Sequence, residues 1–211
     1  MKTSSLVLCT LLLLVLAGLP AAAQTVYTDG PINGNSDAWT FNFGFIQSDS
    51  FNVTSGTSTL TGFSFGAWLF SGDTLTSAEI TITSFENGGT TYFDQVLSFS
   101  MSGCAMNQFG FNVCEESTTF NGPTLHNGTY WVNLQNGVVP SGDPVYWDEN
   151  EGPSNASNNA GTMPGESFTL LGSQSSTTTS TTTTSVPEPS SLMLFASGIL
   201  GAAALVRRRF L

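Results

Sequence analysis

The sequence predicts an all-β fold, an antiparallel β-sandwich of jelly-roll-like kind, set between two terminal segments that act as addresses. Three observations carry this reading. Apolar residues in the middle of the chain repeat at period two, the spacing of a strand with one buried face. No lysine or arginine occurs between Gln24 and Gly172. Each end carries a short apolar run with basic residues on its outer side.

The N-terminal address comes first. Lys2 precedes the apolar run Leu6 to Leu19, which Pro20 and Ala21-Ala22-Ala23 follow. A charged start, an apolar core too short for a comfortable bilayer crossing and a small-residue exit describe a secretory signal peptide over residues 1–23. Cleavage is expected after Ala23. Cys9 does not make this a lipoprotein signal, because Leu8 before it is bulky and the apolar run continues past it.

Residues 24–172 then form one domain, large enough to bury a core of its own. Trp39, Phe41, Phe43 and Phe45 alternate with polar or small residues, as do Phe63, Phe65, Ala67 and Leu69. The pairs and triplets Ile80/Ile82, Leu97/Phe99/Met101, Phe109/Phe111/Val113 and Tyr130/Val132/Leu134 repeat the pattern. Gly, Asn, Asp and Ser clusters at Gly30–Asp37, Ser71-Gly72-Asp73, Asn87-Gly88-Gly89 and Asn121-Gly122-Pro123 punctuate the runs as turns. No stretch offers an apolar stripe of helical period with caps, and no internal repeat suggests a solenoid or propeller.

Charge narrows the partners. Fourteen of the fifteen acidic residues lie in 24–172, and all four cations (Lys2, Arg207, Arg208 and Arg209) lie in the terminal segments. Such a domain repels phosphates, so no nucleic acid partner is expected. It also cannot build an internal Lys or Arg ion pair.

Within the domain, Cys104 and Cys114 frame CAMNQFGFNVC. Outside the cytoplasm these two are expected as a disulfide closing a loop around Phe109 and Phe111, stabilising by about 2–3 kcal/mol through the entropy of the unfolded chain. The stretch has too few ligands for zinc.

Catalysis finds little support. The single histidine, His126, sits in the polar turn Leu125-His126-Asn127-Gly128, a surface position rather than that of a general base. Glu115, Glu116, Asp148, Glu149 and Glu151 are the acids from which a glycoside-cleaving pair would have to come, but neighbours on one loop rarely face each other across a sugar. No enzyme and no cofactor are expected.

The most distinctive internal stretch is Pro144 to Ser154, PVYWDENEGPS. Tyr146 and Trp147 could stack on a sugar ring while Asp148 and Asn150 bond its hydroxyls, the arrangement of a carbohydrate-binding module. Asp148, Asn150 and a backbone carbonyl could instead hold Ca²⁺, which takes several hard oxygens, although the EF-hand spacing is absent. The plainer alternative packs Tyr146 and Trp147 into the core ahead of a solvated acidic loop, and this is the reading we favour. The segments GTYWVNL and YWDENEG resemble a recurrent ectodomain of PEP-CTERM proteins, a likeness that brings no activity with it.

Beyond the domain, residues 173–185 read SQSSTTTSTTTTS. With no apolar side chain to offset the entropy of ordering, this is a linker, with or without O-glycans. Residues 186–211 begin with Pro187-Glu188-Pro189, continue as the apolar segment 191–206 and end on Arg207, Arg208 and Arg209. The prolines stop a helix extending upstream. A single hydrophobic helix over 191–206 would sit in the membrane with the arginines on the cytoplasmic side.

This three-part tail resembles the PEP-CTERM sorting signal, also catalogued as an ice-binding-protein C-terminal domain; the label is no evidence of ice binding. The resemblance implies that exosortase, an integral-membrane cysteine transpeptidase, reads Pro187, Glu188 and Pro189 and removes or replaces the tail. It assigns Arg207, Arg208 and Arg209 to retention before processing. It further implies a Gram-negative host that makes exopolysaccharide, and a mature protein at the cell surface or in the extracellular matrix. A structural or interaction component of that matrix is the expected role, with a carbohydrate-binding module and a glycoside-acting enzyme as alternatives.

Overall fold

The computed structural model describes residues 23–175. The signal segment, the linker beyond Ser175, the sorting motif and the apolar segment 191–206 lie outside the described residues. Those described form twelve strands, all paired antiparallel, and no helix.

One strand organises the fold. β3 (Ile46–Leu69) runs for 24 residues, and its register breaks between Val53 and Thr57, where Gly56 takes a positive φ of 58°. Before the break, β3 lies between β8 (Thr124–Val138) and the short β10 (Ala156–Asn158), which pairs in turn with β11 (Gly161–Met163). β4 (Ser77–Phe85) and then β5 (Gly88–Ser98) extend this first leaf beyond β8. After the break, β3 pairs on one side with β12 (Phe168–Ser175), which carries β1 (Gln24–Thr28) at its outer edge. On the other side it stays with β8 at Thr57–Thr59 and from Gly62 to Leu69 pairs with β7 (Asn112–Thr119), next to β6 (Ser100–Met106). Two three-residue strands complete it: β9 (Tyr146–Asp148) pairs with Ala67 and Trp68 near the end of β3 and carries β2 (Ala38–Thr40) on its other side. The result is a sandwich-like pair of leaves joined through β3.

Side-chain alternation puts one face of each leaf into a common core. Ile80, Ile82, Val132 and Leu134 of the first leaf and Phe63, Phe65, Leu69 and Leu170 of the second are all at most 1% exposed. Burying such side chains contributes about 1.5–3 kcal/mol each. Aromatic contacts join the leaves, as between Tyr27 of β1 and Phe51 of β3 (ring centroids 6.1 Å apart) and between Phe93 of β5 and Phe120 (4.8 Å). The β4–β5 hairpin turns at Glu86-Asn87, where Asn87 adopts φ 43°, a left-handed conformation that Asn tolerates well.

Three strand expectations are corrected. The run Trp39–Phe45 is not one strand: β2 ends at Thr40, and only Phe41 of its phenylalanines is in the core. Phe43 has φ 56° and Gly44 φ 87°, a turn closed by the Phe45 N–H on the Asn42 carbonyl (3.1 Å), which leaves Phe43 66% exposed. The run Leu97/Phe99/Met101 is divided between β5 and β6, so Met101 faces out. Phe109 lies in the turn ahead of β7 and is also exposed. At the other end, β12 continues to Ser175, three residues into the Ser/Thr-rich segment.

Candidate functional site

The stretch Pro144–Ser154 is placed by β9, whose three residues pair with β2 on one side and with Ala67 and Trp68 of β3 on the other. Trp147 therefore points into the sandwich. It is 0% exposed, meets the rings of Phe63, Phe65 and Phe168 at 5.8–6.1 Å, and donates its indole N–H to the Ser167 carbonyl (2.9 Å). The sugar platform expected of Tyr146 and Trp147 is corrected on this point: a buried indole offers no face to a ligand.

Asp148 is likewise absorbed by the fold. Its Oδ1 accepts from the Trp68 indole (2.6 Å) and the Gly34 N–H (3.0 Å), and its Oδ2 accepts from the Asn33 N–H (2.8 Å). Three donors ending on one buried carboxylate fasten the 30–37 loop to β9 and supply charge compensation without a cation. Asn150, also buried, donates to the Asp29 carbonyl (2.8 Å) and accepts from the Gly152 N–H (2.7 Å). The hydroxyl-bonding role expected of Asp148 and Asn150 is corrected too, since neither is open to solvent. Both oxygens of Asp148 already accept hydrogen bonds, so its charge is compensated without the Ca²⁺ expected of Asp148 and Asn150.

Of the other acids singled out, Glu115 and Glu151 are exposed, and Glu149 accepts from the Trp39 indole (2.7 Å). Glu116 is fully buried with no donor on either oxygen, and burial pushes its carboxyl up to about 7. His126 is exposed, as its turn composition suggested, although it lies within β8.

Cys104 and Cys114 are joined. The loop it closes carries Phe109 and Phe111, which belong to a compact aromatic surface. Between the cysteines, Asn107 holds the turn by accepting the N–H groups of Phe109 and Phe111 (3.0 Å each) on its Oδ1. Phe109 stacks on Trp68 (5.6 Å), and Phe111 meets both Phe70 (4.9 Å) and Tyr146 (5.6 Å). Phe70 and Phe109 are 39% and 53% exposed. A shallow hollow of about 330 Å³ opens beside it, lined by Asn33, Asn35, Met106, Asn107 and Glu115 among others.

A second group went unpredicted. Asp29 at the end of β1, Asp49 in β3 and Glu166 ahead of β12 are all 0% exposed. The Asp49 carboxyl is raised to about 7 by burial, and burial also raises Asp29 and, more strongly, Glu166. Nothing in the local sequence marks these acids; the composition of 24–172 shows only that no Lys or Arg could pair with them.

Comparison with known families adds the decisive observation at the other end of the chain. Residues 185–209 match the family model of the PEP-CTERM protein-sorting motif. The chain carries a PEP-CTERM sorting signal. The match covers Pro187, Glu188, Pro189 and all three arginines, and it implies an exported protein processed by exosortase. No curated protein matches the chain.

Proposed function

We propose that this is a non-enzymatic component of the bacterial surface or exopolysaccharide matrix, delivered by a signal peptide over residues 1–23. On this reading residues 191–206 form a helix that holds the precursor in the membrane, arginines inward, until exosortase acts at the Pro187-Glu188-Pro189 motif. The PEP-CTERM match is the observation that carries the reading. An acidic, cation-free β domain ahead of a Ser/Thr-rich segment suits it, because the charge keeps an exported domain soluble and repels anionic lipid. Anchoring alone would need no Pro-Glu-Pro motif, since apolar length and arginines supply the membrane terms.

The test replaces all three of Pro187, Glu188 and Pro189 with alanine in a host that has exosortase. The variant is expected to stay in the membrane fraction as unprocessed precursor, while wild type leaves it. Equal release of both would contradict the proposal.

A second reading, a carbohydrate-binding module, is favoured by the exposed aromatic surface rather than by Trp147. Phe70, Phe109, Phe111 and Tyr146 offer ring faces and edges, and Asn35, Asn107 and Glu115 offer hydroxyl partners nearby. Phe109→Ala would then weaken retention on the host's own exopolysaccharide in affinity electrophoresis. Unchanged retention, or none by wild type, would dismiss it.

A further inference from the structure

We propose that the outward face of the second leaf is a groove that takes an extended, uncharged polysaccharide chain and leads it to the exposed aromatic surface. The groove rests on the carbohydrate-binding reading above, and gives that reading a polymer class and a whole sheet face. Three observations carry it.

First, the strand register lines up hydroxyls across five neighbouring strands. Thr28 of β1 lies opposite Thr169 of β12, Thr169 opposite Ser64 of β3, Ser64 opposite Ser117 of β7, and Ser117 opposite Ser100 of β6. Phe63 and Phe65 on either side of Ser64 point into the core, so the row faces outward, and every member is at least partly exposed. Four gaps of about 4.8 Å between strands make the row roughly 19 Å long. The Thr169 hydroxyl donates to that of Thr28 (3.1 Å) and the Ser117 hydroxyl to the Ser100 carbonyl (3.3 Å), which holds these side chains in place before any ligand arrives. Hydroxyls both donate and accept, as those of a sugar do.

Second, three hollows follow one another along this face. One of about 440 Å³ is lined by Gly62 of β3 with its cross-strand neighbours Leu171 and Thr119. One row further along β3, a hollow of about 210 Å³ is lined by Ser64, Thr169 and Glu115. It shares Ile32 and Glu115 with the 330 Å³ hollow described above, which reaches Met106 and Asn107. Asn107 in turn holds Phe109, the ring stacked on Trp68 (5.6 Å). Gly62 and Ser64 keep the floor low, so a chain of flat rings lying along β3 meets hydroxyls first and aromatic faces at the end.

Third, charge selects the polymer. Fourteen acids and no Lys or Arg in 24–172 repel polymers that carry carboxylate, sulfate or phosphate groups. Among the described residues lining the three hollows, Glu115 is the one carboxylate, enough to accept a sugar hydroxyl but a sparse partner for a polycation. The centre of a protein interface is built from large apolar and aromatic side chains, which the hydroxyl row lacks.

The test runs the full-length chain in mild detergent through native gels cast with the host's exopolysaccharide, split by anion exchange into uncharged and anionic fractions. Wild type should be retarded by the uncharged fraction and not by the anionic one, with little change on adding salt. Ser64→Tyr, which fills the middle hollow, should weaken retention about tenfold or more. Thr169→Val combined with Ser117→Ala removes two hydroxyls of the row without adding bulk; it should weaken retention several-fold and decides the matter if Ser64→Tyr does not fold. Val96→Tyr, on the exposed edge strand of the first leaf, should bind as wild type does. Unchanged retention of the folded groove variants would overturn the groove, and a loss confined to Phe109→Ala would then leave carbohydrate binding to the aromatic surface alone. Retention on the anionic fraction only would overturn the uncharged-chain proposal, and retention on neither would overturn the carbohydrate reading with it.

Discussion

Replacing Trp147 with alanine separates a core residue from a ligand platform. The indole is 0% exposed and packs on Phe63, Phe65 and Phe168, so truncation removes a large apolar area from the centre of the second leaf. Large-to-alanine changes of this kind cost about 3–5 kcal/mol, transfer and cavity terms together. The lost indole hydrogen bond adds little, because the Ser167 carbonyl also accepts from the Gly66 N–H (3.3 Å) and is not orphaned. Against a typical domain stability of about 5–15 kcal/mol, that is a large share. Urea unfolding followed by far-ultraviolet circular dichroism should show a clear fall in midpoint with an unchanged m-value. Phe109→Ala, on the exposed aromatic surface, should cost less than about 1 kcal/mol. A loss below about 1 kcal/mol for Trp147→Ala would refute the packing argument.

Two further outcomes follow from the same structure. Asp49 and Glu116 are each raised to about 7 by burial, and Asp29 and Glu166 are raised too, so the folded state holds its protons more tightly than the unfolded chain. Their contribution to stability is full below the unfolded carboxyl range and is lost as the pH rises through about 7; the urea midpoint should therefore be higher at pH 5 than at pH 8, and the opposite order would contradict it. Mass spectrometry of protein taken from the cell exterior should show Cys104 linked to Cys114, and reduction should lower stability by about 2–3 kcal/mol; two freely alkylated thiols in unreduced protein would contradict the pairing.

Legibility in the sequence followed the range of the signal. Phe63–Leu69 and Tyr130–Leu134 were readable because a strand with one buried face must alternate, and both runs lie inside long strands. Trp39–Phe45 alternates equally well and misled, because the positive φ at Phe43 and Gly44 ends the strand and is invisible to periodicity. The length of β3 was hidden as well: no apolar alternation runs through residues 55–59, yet pairing with β8 and β12 carries the strand on from Thr57. The buried acids were the least legible. Asp49 sits between serines, and only the tertiary packing of β10 and the residues before β12 removes it from water. The sorting signal needed no tertiary information, since its three parts stand in linear order.

The central claim is that the chain is a substrate for sorting and not a permanently anchored protein. The most direct measurement is the intact mass of the mature wild-type protein, with a C-terminal peptide map, recovered from the surface or matrix of a host that has exosortase. The account predicts a C-terminus that has lost the apolar segment 191–206 and the arginines behind it. Recovery of mature protein ending in an intact Phe210-Leu211 would contradict it.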